Sequence, residues 1–499
     1  MNNLYIFSPE KIGTISPNIY GHFAEHLGGV IYDGMWVGES SNVPNIKGFR
    51  AELVEKLKAI NPPILRWPGG CFAETYDWRD GIGPRDKRPV RLNWWTTHGD
   101  RREPNEVGTD EFVYFCRLIG AEPYIAANVT TLKPLDIRDW IDYCNSPRGT
   151  TTYAKLREQN GNPEPFGVKY WGVGNETWGG GGNMTAEVYA HEYRRYAMIM
   201  SNTDPSIKLI GSGANANDFS WTKRFMEVFS TSDKIMSYFS LHYYCWGSGN
   251  PVAFNTNEWY QQLVQAAGIE NCLRRHWNYI CGFGMEKYAK LCIDEWGAWH
   301  PEGSGPSKGY NLFEQQSTMR DAMVAALTLN IFNNNCDKVA IAAVAQLVNC
   351  LHSLFLASGP NLITTPTYHV FDMYKGHQGG EAVKTVVDNN EDITFTSPVN
   401  GRESHINKLS YSASIKDGKL TLTVANLSHD TSEVLQLVPI GIKLAGTAQI
   451  GILTHSDYHA HNTFEDPENV KAEYKSIDIS DGVLTIPAAS IIALTADII

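Results

Sequence analysis

The chain has 499 residues, of which 42% are hydrophobic and 19% charged, as expected for a globular protein with one large and one smaller domain. Its 54 acidic and 42 basic residues give a net charge of -12, and no Lys/Arg-rich stripe indicates a nucleic-acid partner. No apolar run is long enough to span a bilayer, so we expect no membrane partner.

The N-terminus and the cysteines both favour a cytoplasmic location. Residues 1–6 show no basic segment followed by an apolar one, which argues against a secretory signal. The nine cysteines are scattered and odd in number, as is typical of buried free thiols in a reducing compartment.

Short apolar runs alternate with amphipathic stretches over most of the chain, which predicts strands that alternate with helices. Phe49, Leu53, Leu57 and Ile60, for example, repeat at helical spacing. The eight candidate strands lie at 19–23, 63–67, 123–128, 170–176, 208–212, 238–244, 291–295 and 339–344. This alternation predicts a (β/α)8 TIM barrel with long loops, with a doubly wound sheet as the alternative.

Polar residues gather where these runs end, which favours the barrel because its strand ends converge on one mouth. They are Glu25, Arg66, Asn128, Glu176, His242, Tyr244, Glu295 and Gln346.

The pattern changes near residue 385, where short alternating strands replace the strand–helix alternation. Asp417-Gly418 and Asp481-Gly482 each separate two such strands, which predicts two hairpins in an antiparallel β-sandwich. The strand-like Leu4–Phe7 has no helix before it, so we expect it to join that sandwich. The predicted organisation is an N-terminal strand at 1–15, a catalytic barrel at 16–385 and a C-terminal β-sandwich at 386–499.

Two glutamates lie at the ends of candidate strands four and seven. Glu176 follows Gly174-Asn175, and Glu295 follows Asp294 and precedes a tryptophan. Two carboxyl groups across a glycosidic bond can divide the roles of acid and nucleophile, which makes Glu176 a candidate acid/base and Glu295 a candidate nucleophile. Either could instead be a structural glutamate in a barrel mouth.

Three further strand-end residues are candidate partners of these acids. Arg66 would lie in the same mouth and could keep Glu295 ionised, although a purely structural ion pair is as good an explanation. Tyr244 could donate a hydrogen bond to the nucleophile, and His242 lies two residues before it. Aromatic residues at strand ends often serve only packing.

Together these residues resemble the clan A glycoside hydrolases, and more narrowly family 51, the α-L-arabinofuranosidases. The matching motifs follow the family order: Gly21–Gly29, Arg66–Gly70, Asp80–Pro84, Gly108–Phe112, Gly174–Glu176, Asp294–Trp296, Ala345–Asn349 and Asn462–Glu468.

This resemblance implies a retaining, exo-acting α-L-arabinofuranosidase that releases arabinose from arabinoxylan or arabinan oligosaccharides. It implies that no metal or cofactor is needed and that the chain forms a homo-oligomer, commonly a hexamer. It also implies residues that bind the sugar, and we add to them the residues that converge on the same mouth. The combined set is Glu25, Arg66, Cys71, Asn175, His242, Tyr244, Trp299 and Gln346.

The chain departs from the family pattern at two places. Cys71 stands where many relatives carry asparagine, and residues 177–182 replace a commoner acidic stretch with a glycine-rich one. A cysteine that lines the pocket is a poorer hydrogen-bond donor, and the loop flanks Glu176 and so leaves the side of the site that holds the leaving group open. His455, His459 and His461 could bind a metal, but a polar loop of the sandwich is the favoured interpretation.

Two other functions fit the sequence less well. An endo-glucanase or a xylosidase of the same family would share the motifs, and an open or blocked pocket would decide between them. A non-catalytic carbohydrate-binding protein would belong to another class, but it would not need both glutamates.

Overall fold

Eight parallel strands close into a barrel in the computed structural model, which describes residues 2–96 and 99–499. Neighbours along the chain are neighbours in the barrel, and the last strand pairs with the first. We number them one to eight: Gly21–Phe23, Ile64–Trp67, Glu122–Ala127, Tyr170–Val173, Lys208–Gly211, Tyr238–Trp246, Lys290–Trp299 and Val339–Ala345. Each candidate run forms one strand, so the predicted barrel is confirmed and the doubly wound alternative is wrong.

The α-helices turn their apolar faces toward the barrel, as the helical spacing predicts. In the helix Ala51–Ile60 the buried residues include Leu53, Leu57 and Ile60. The α-helices of the described residues are Ala51–Ile60, Thr109–Ile119, Pro134–Asn145, Thr152–Gln159, Ala186–Thr203, Phe219–Phe229, Thr256–Gly282, Met319–Asn334 and Pro366–Tyr374. None of these helices is long and apolar enough to cross a membrane.

Short elements fill the loops around the barrel. The 3₁₀ helices are Pro17–Tyr20, Cys71–Thr75, Trp78–Gly81, Arg85–Lys87 and Lys375–His377. Two-stranded pairs join Asn45–Ile46 with Phe49–Arg50, Arg91–Leu92 with Arg102–Glu103, Phe355–Ser358 with Asn361–Thr364, and Asp392–Thr396 with Glu403–Asn407.

A nine-stranded sheet forms the second region. Its order in space is Glu473–Asp478, Leu444–Leu453, Ser490–Ile498, Lys419–Asn426, Leu409–Lys416, Glu381–Val387, Asn2–Thr14, Glu433–Ile440 and Val483–Ile486. All pairs are antiparallel except Asn2–Thr14 with Glu433–Ile440. Residues from both ends of this order, such as Ile450 and Leu435, share one apolar core, so the sheet folds over on itself. The N-terminal strand therefore joins the C-terminal sheet, as predicted.

Two details of the sheet differ from the sequence interpretation. Asp417-Gly418 does connect paired strands, but the strands on either side of Asp481-Gly482 lie at opposite ends of the sheet, so that predicted hairpin is wrong. Each of these two strands pairs with a different strand of the sheet, and the turn residues alone do not reveal that pairing. The predicted boundary at 385/386 falls inside Glu381–Val387, which pairs with strands of the sheet on both edges.

The sheet packs against the barrel helix Met319–Asn334, whose residues are buried from Met319 to Asn333. Asn330 accepts hydrogen bonds from Ser412 (2.9 Å) and Thr423 (2.7 Å), and Asn333 donates to Ser412 (3.1 Å). Because buried amides must be hydrogen-bonded, this network fixes how the sheet sits on the barrel.

Candidate active site

Glu295 lies within strand seven, which continues to Trp299 rather than ending at this glutamate as the sequence suggested, and two strong donors fix its side chain. Its side chain is buried, with 6% of the residue exposed. Arg66, from strand two, donates to one carboxylate oxygen at 2.7 Å, and the Tyr244 hydroxyl donates to the other at 2.8 Å. Burial works against the Arg66 charge, but Asp294 and Glu295 raise its pKa well above the ordinary value. Arg66 is therefore always charged, and Glu295 faces a permanent cation.

Glu176 has a looser environment, directly after strand four. Its backbone is in the left-handed region (φ 39°), and its side chain is half-buried. One carboxylate oxygen lies 2.8 Å from His242 Nδ1, and the other accepts from the Cys71 thiol at 3.6 Å. The preceding residue, Asn175, accepts a hydrogen bond from Arg66 at 2.6 Å. Glu176 thus faces the mouth on a short connection rather than within a strand.

The two glutamates lie close together, with His242 beside both. One carboxylate oxygen from each glutamate and one nitrogen of His242 all lie within 4.8 Å of one another. His242 Nδ1 is 2.8 Å from Glu176 and 3.4 Å from Glu295. The structure therefore brings together the two residues that the sequence singled out, one shortly after strand four and the other within strand seven.

The carboxylates around His242 favour its protonated form. Burial lowers its pKa, but Glu295, Asp294 and Glu176 outweigh burial and raise the pKa to about 10. Its second nitrogen lies 3.4 Å from Asp294. Asp294 also accepts from Tyr124 at 2.7 Å and from Ser240; burial raises the Asp294 pKa, but Arg66 and His242 outweigh it and hold the pKa below its usual range. An imidazolium beside the ionised Asp294 offsets charge that a buried site could not otherwise tolerate.

Glu25 and Gln346 form a second polar pair beside Glu295. Glu25 accepts hydrogen bonds from the backbone N–H groups of Gly70 (2.9 Å) and Phe72 (3.0 Å). Its other carboxylate oxygen accepts from Gln346 at 3.0 Å. Burial, then the negative charge of Glu295, raises the Glu25 pKa to about 7. This carboxyl group can therefore change protonation near neutral pH.

Two glycines explain why this part of the mouth can be so crowded. A Cβ atom at Gly70 would lie 2.6 Å from the carboxylate of Glu295, and one at Gly69 would lie 2.8 Å from Glu25. Real Cβ atoms do not come so close, so any side chain at these positions would displace the acids.

The two departures from the family pattern lie against each other. Cys71 lies beside Glu176, and a Cβ atom at Gly180 would be 2.6 Å from the Cys71 sulfur. Burial, and then the charge of Glu176, raises the pKa of the Cys71 thiol above its ordinary value, so it remains a neutral donor. The glycine-rich loop thus makes room for this thiol.

Trp299 lies at the end of strand seven and lines the mouth, as the resemblance implies. Its ring meets Tyr244 edge to face, with centroids 4.9 Å apart, and also packs on Trp246 and Phe313. All ten predicted site residues therefore lie in one contiguous cluster: Glu25, Arg66, Cys71, Asn175, Glu176, His242, Tyr244, Glu295, Trp299 and Gln346.

Sequence reasoning missed Glu74 and left Asp294 without a role. Glu74 is buried and accepts the backbone N–H groups of Asn175 (2.6 Å), Val129 (2.9 Å) and Thr130 (2.8 Å). Burial raises its pKa to about 7. In the sequence, the only sign of this role is that Glu74 is an acid among aromatic and apolar neighbours, shortly after the Arg66–Gly70 motif.

Asn128 does not join the acids, although it ends strand three. Its side chain bonds the Tyr76 carbonyl (3.1 Å) and the Thr131 hydroxyl (2.7 Å), and so fixes the loop after its own strand.

The three late histidines do not gather into a metal site. His455, His459 and His461 bond backbone carbonyls or Asp457 in the loop after Leu444–Leu453. Among the residues the structure describes, the one group with donor atoms spaced for a metal is Glu176, His242 and Glu295. These side chains already bond Arg66, Tyr244 and Cys71, and His242 bonds Glu176.

Two facing carboxyl groups at the carboxyl ends of barrel strands are typical of glycoside hydrolases. Comparison with known proteins agrees. Residues 56–262 match the model of the α-L-arabinofuranosidase 1 domain, and residues 294–490 match the α-L-arabinofuranosidase C-terminal domain. An intracellular exo-α-L-arabinofuranosidase of Bacteroides ovatus is 38% identical over 498 aligned positions, covering 96% of this chain and 92% of that protein.

Solved structures of arabinofuranosidases are similar to this chain as well. The arabinofuranosidase of Xanthomonas axonopodis pv. citri is 33% identical, with a TM-score of 0.92 over 100% of both chains. An arabinose complex of the Thermotoga maritima α-L-arabinofuranosidase is 31% identical, with a TM-score of 0.88 and the same coverage. The chain belongs to glycoside hydrolase family 51, the α-L-arabinofuranosidases.

Proposed function

We propose that this protein is a retaining, exo-acting α-L-arabinofuranosidase that removes terminal L-arabinofuranose from oligosaccharides. The observation that carries the proposal is the spacing of the two acids, whose nearest oxygens lie within 4.8 Å. Retaining enzymes hold their carboxyl groups about 5–5.5 Å apart, whereas inverting enzymes need about 6.5–9.5 Å for a water molecule. The arabinose specificity and the exo mode are supported by the names of the similar proteins.

The environments of the two acids support a division of roles between them. Glu295 faces a fixed guanidinium and a phenol, which favours an ionised nucleophile that attacks the anomeric carbon. Glu176, nearer to solvent, donates a proton to the departing glycosidic oxygen. A water molecule then loses a proton to Glu176 and attacks the anomeric carbon, which breaks the bond to Glu295 and releases arabinose with its original configuration.

The remaining polar groups are placed to hold the furanose. Glu25, Asn175 and Gln346 present fixed donors and acceptors around the nucleophile, and Tyr244 and Trp299 form one wall. A furanose has few apolar atoms, so discrimination must come from hydrogen bonds that a wrong sugar would leave unmade. Arg66, His242 and Cys71 act through the two acids that they contact.

Two assays test this function. Proton NMR of the first product formed should show α-arabinofuranose; the β-anomer would contradict the retaining mechanism. A panel of nitrophenyl glycosides should show the highest kcat/KM with the α-L-arabinofuranoside, and a preference for a xyloside or a cellobioside would contradict the specificity.

Two further proposals concern location and assembly. The Bacteroides ovatus relative is described as intracellular, which supports a cytoplasmic enzyme acting on short imported oligosaccharides. We also propose a homo-oligomer, and sedimentation would show it directly; a monomer at all concentrations would contradict it.

A further inference from the structure

Trp246 is an exposed indole that the proposed mechanism does not use. It ends strand six and is 61% exposed, although it is among the largest apolar side chains. A tryptophan this exposed at the end of a barrel strand, where function gathers, points to a binding role.

Three side chains of strand six lie on one face toward the mouth. Alternate residues of a strand share a face, so Trp246 follows His242 and Tyr244 outward. His242 contacts Glu176, and Tyr244 contacts Glu295. Two residues of strand rise about 7 Å, which places Trp246 about one sugar ring farther from the acids than Tyr244.

The Trp246 ring is supported from behind. It packs on Trp299 with ring centroids 5.2 Å apart, and Trp299 in turn packs on Tyr244 and Phe313. Strands six and seven also align Trp246 with Trp299 in register, and the N–H of Gly247 donates to the Trp299 carbonyl at 2.6 Å. A rigidly backed indole loses little conformational entropy when a ligand stacks on it.

We propose that Trp246 is the platform for the sugar unit on the leaving-group side of the scissile bond, and that this unit is a pyranose such as the xylose of a xylan backbone. A pyranose with equatorial hydroxyls presents a flat face of C–H groups to an indole, while its hydroxyls point outward to water. A furanose is smaller and puckered and covers less of the ring. The inference rests on the proposed arabinofuranosidase activity and adds the class of leaving group to it.

Substrates with and without a second sugar test the platform. For the wild type and Trp246→Ala we would measure kcat/KM with α-L-arabinofuranosyl-xylotriose and with methyl α-L-arabinofuranoside. The ratio of these two values should fall roughly 10- to 100-fold in Trp246→Ala, the loss typical of an aromatic binding residue. Trp246→Phe, which keeps a flat ring, should recover most of the ratio.

Tyr288→Ala is the matched control. Tyr288 is a similarly exposed aromatic residue (49%), but it precedes strand seven and lies at the opposite end of the barrel. Its substitution should leave the ratio at the wild-type value. A wild-type ratio in Trp246→Ala would overturn the platform, even if that variant also changed the oligomeric state.

A third substrate tests the sugar class. With α-1,5-arabinobiose in place of the xylotriose derivative, Trp246→Ala should change the ratio less than threefold; a loss as large as that with xylotriose would overturn the pyranose assignment. Wild-type enzyme without activity on methyl α-L-arabinofuranoside would contradict the proposed function itself, which separates the two failures.

Discussion

The two glutamates of the site lie within 4.8 Å of each other but in contrasting surroundings. Glu295 is buried within a strand and accepts from Arg66 and Tyr244. Glu176 is half-buried on a left-handed turn and touches a histidine and a thiol. Under the proposed mechanism the fold separates two tasks: a nucleophile must be held still and charged, whereas an acid/base must exchange protons and face the leaving group.

Replacing each glutamate with alanine gives the largest expected difference. Glu295→Ala should lose on the order of 10⁴-fold in kcat on every substrate, because no carboxylate remains to attack. Glu176→Ala should lose as much on alkyl arabinofuranosides, but only about 10²-fold on nitrophenyl ones, which need little protonation. Steady-state kinetics across leaving groups measures this.

Azide supplies the control for this prediction. It should restore turnover of Glu176→Ala with nitrophenyl substrates, because a small anion can replace the missing base. It should not restore the Glu295→Ala reaction in the same way. If both variants responded equally to the leaving group and to azide, the proposed division of roles would be contradicted.

Arg66 should be the most costly of the supporting residues. It is 1% exposed and contacts Glu295, Asn175 and Asp294. Arg66→Met would leave two buried carboxylates with His242 as their remaining cationic neighbour and should lower the free energy of unfolding by about 3–5 kcal/mol. Denaturant unfolding measures this loss.

A double variant separates charge from packing. Glu295→Gln in the Arg66→Met background removes one of the stranded charges and should recover part of the stability. If stability is not recovered, the loss came from packing around the Arg66 side chain rather than from unpaired charge.

The sequence carried far more information about the barrel than about the mouth. Periodicity found all eight strands, since each is a short apolar run. Periodicity did not predict which tryptophan near Glu295 faces the site. Trp296 packs outward on Phe332 and Phe371, while Trp299 lines the site. Glu74 was missed because its partners are backbone groups of distant loops, which no spacing in the sequence reveals.

The charge of His242 should appear in the pH dependence of stability. Its pKa is about 10 in the folded protein and about 6.5 in an unfolded chain, so the folded state keeps a proton that the unfolded state loses. This contribution is complete below pH 6.5 and is lost as pH rises through 10. Between pH 8 and 9, the free energy of unfolding should fall by about 1.4 kcal/mol per pH unit more than in His242→Gln.

The range from pH 8 to 9 lies above the pH at which two other buried groups titrate. Glu25 and Glu74, with pKa values raised to about 7, contribute stability at low pH that is lost as pH rises through 7. An identical slope in wild type and His242→Gln between pH 8 and 9 would mean that His242 is neutral there.

The smallest effect concerns the glycine-rich loop beside Glu176. Gly180→Ala places a Cβ atom against the Cys71 sulfur and should lower kcat/KM about five- to tenfold by displacing the thiol toward Glu176. Gly179→Ala, whose Cβ would lie 3.8 Å from its nearest neighbour, is the matched control and should have little effect. The double variant Cys71→Ala/Gly180→Ala should lose less kcat/KM than the product of the losses in the two single variants. A loss equal to that product would show that the contact between Gly180 and Cys71 does not matter.

Trapping the sugar on the enzyme tests the division of roles most directly. A 2-fluoro-arabinofuranoside with a good leaving group should accumulate as a covalent intermediate, and peptide mass spectrometry should find the sugar on Glu295. A sugar attached to Glu176, or no covalent species while the substrate is turned over, would contradict the account.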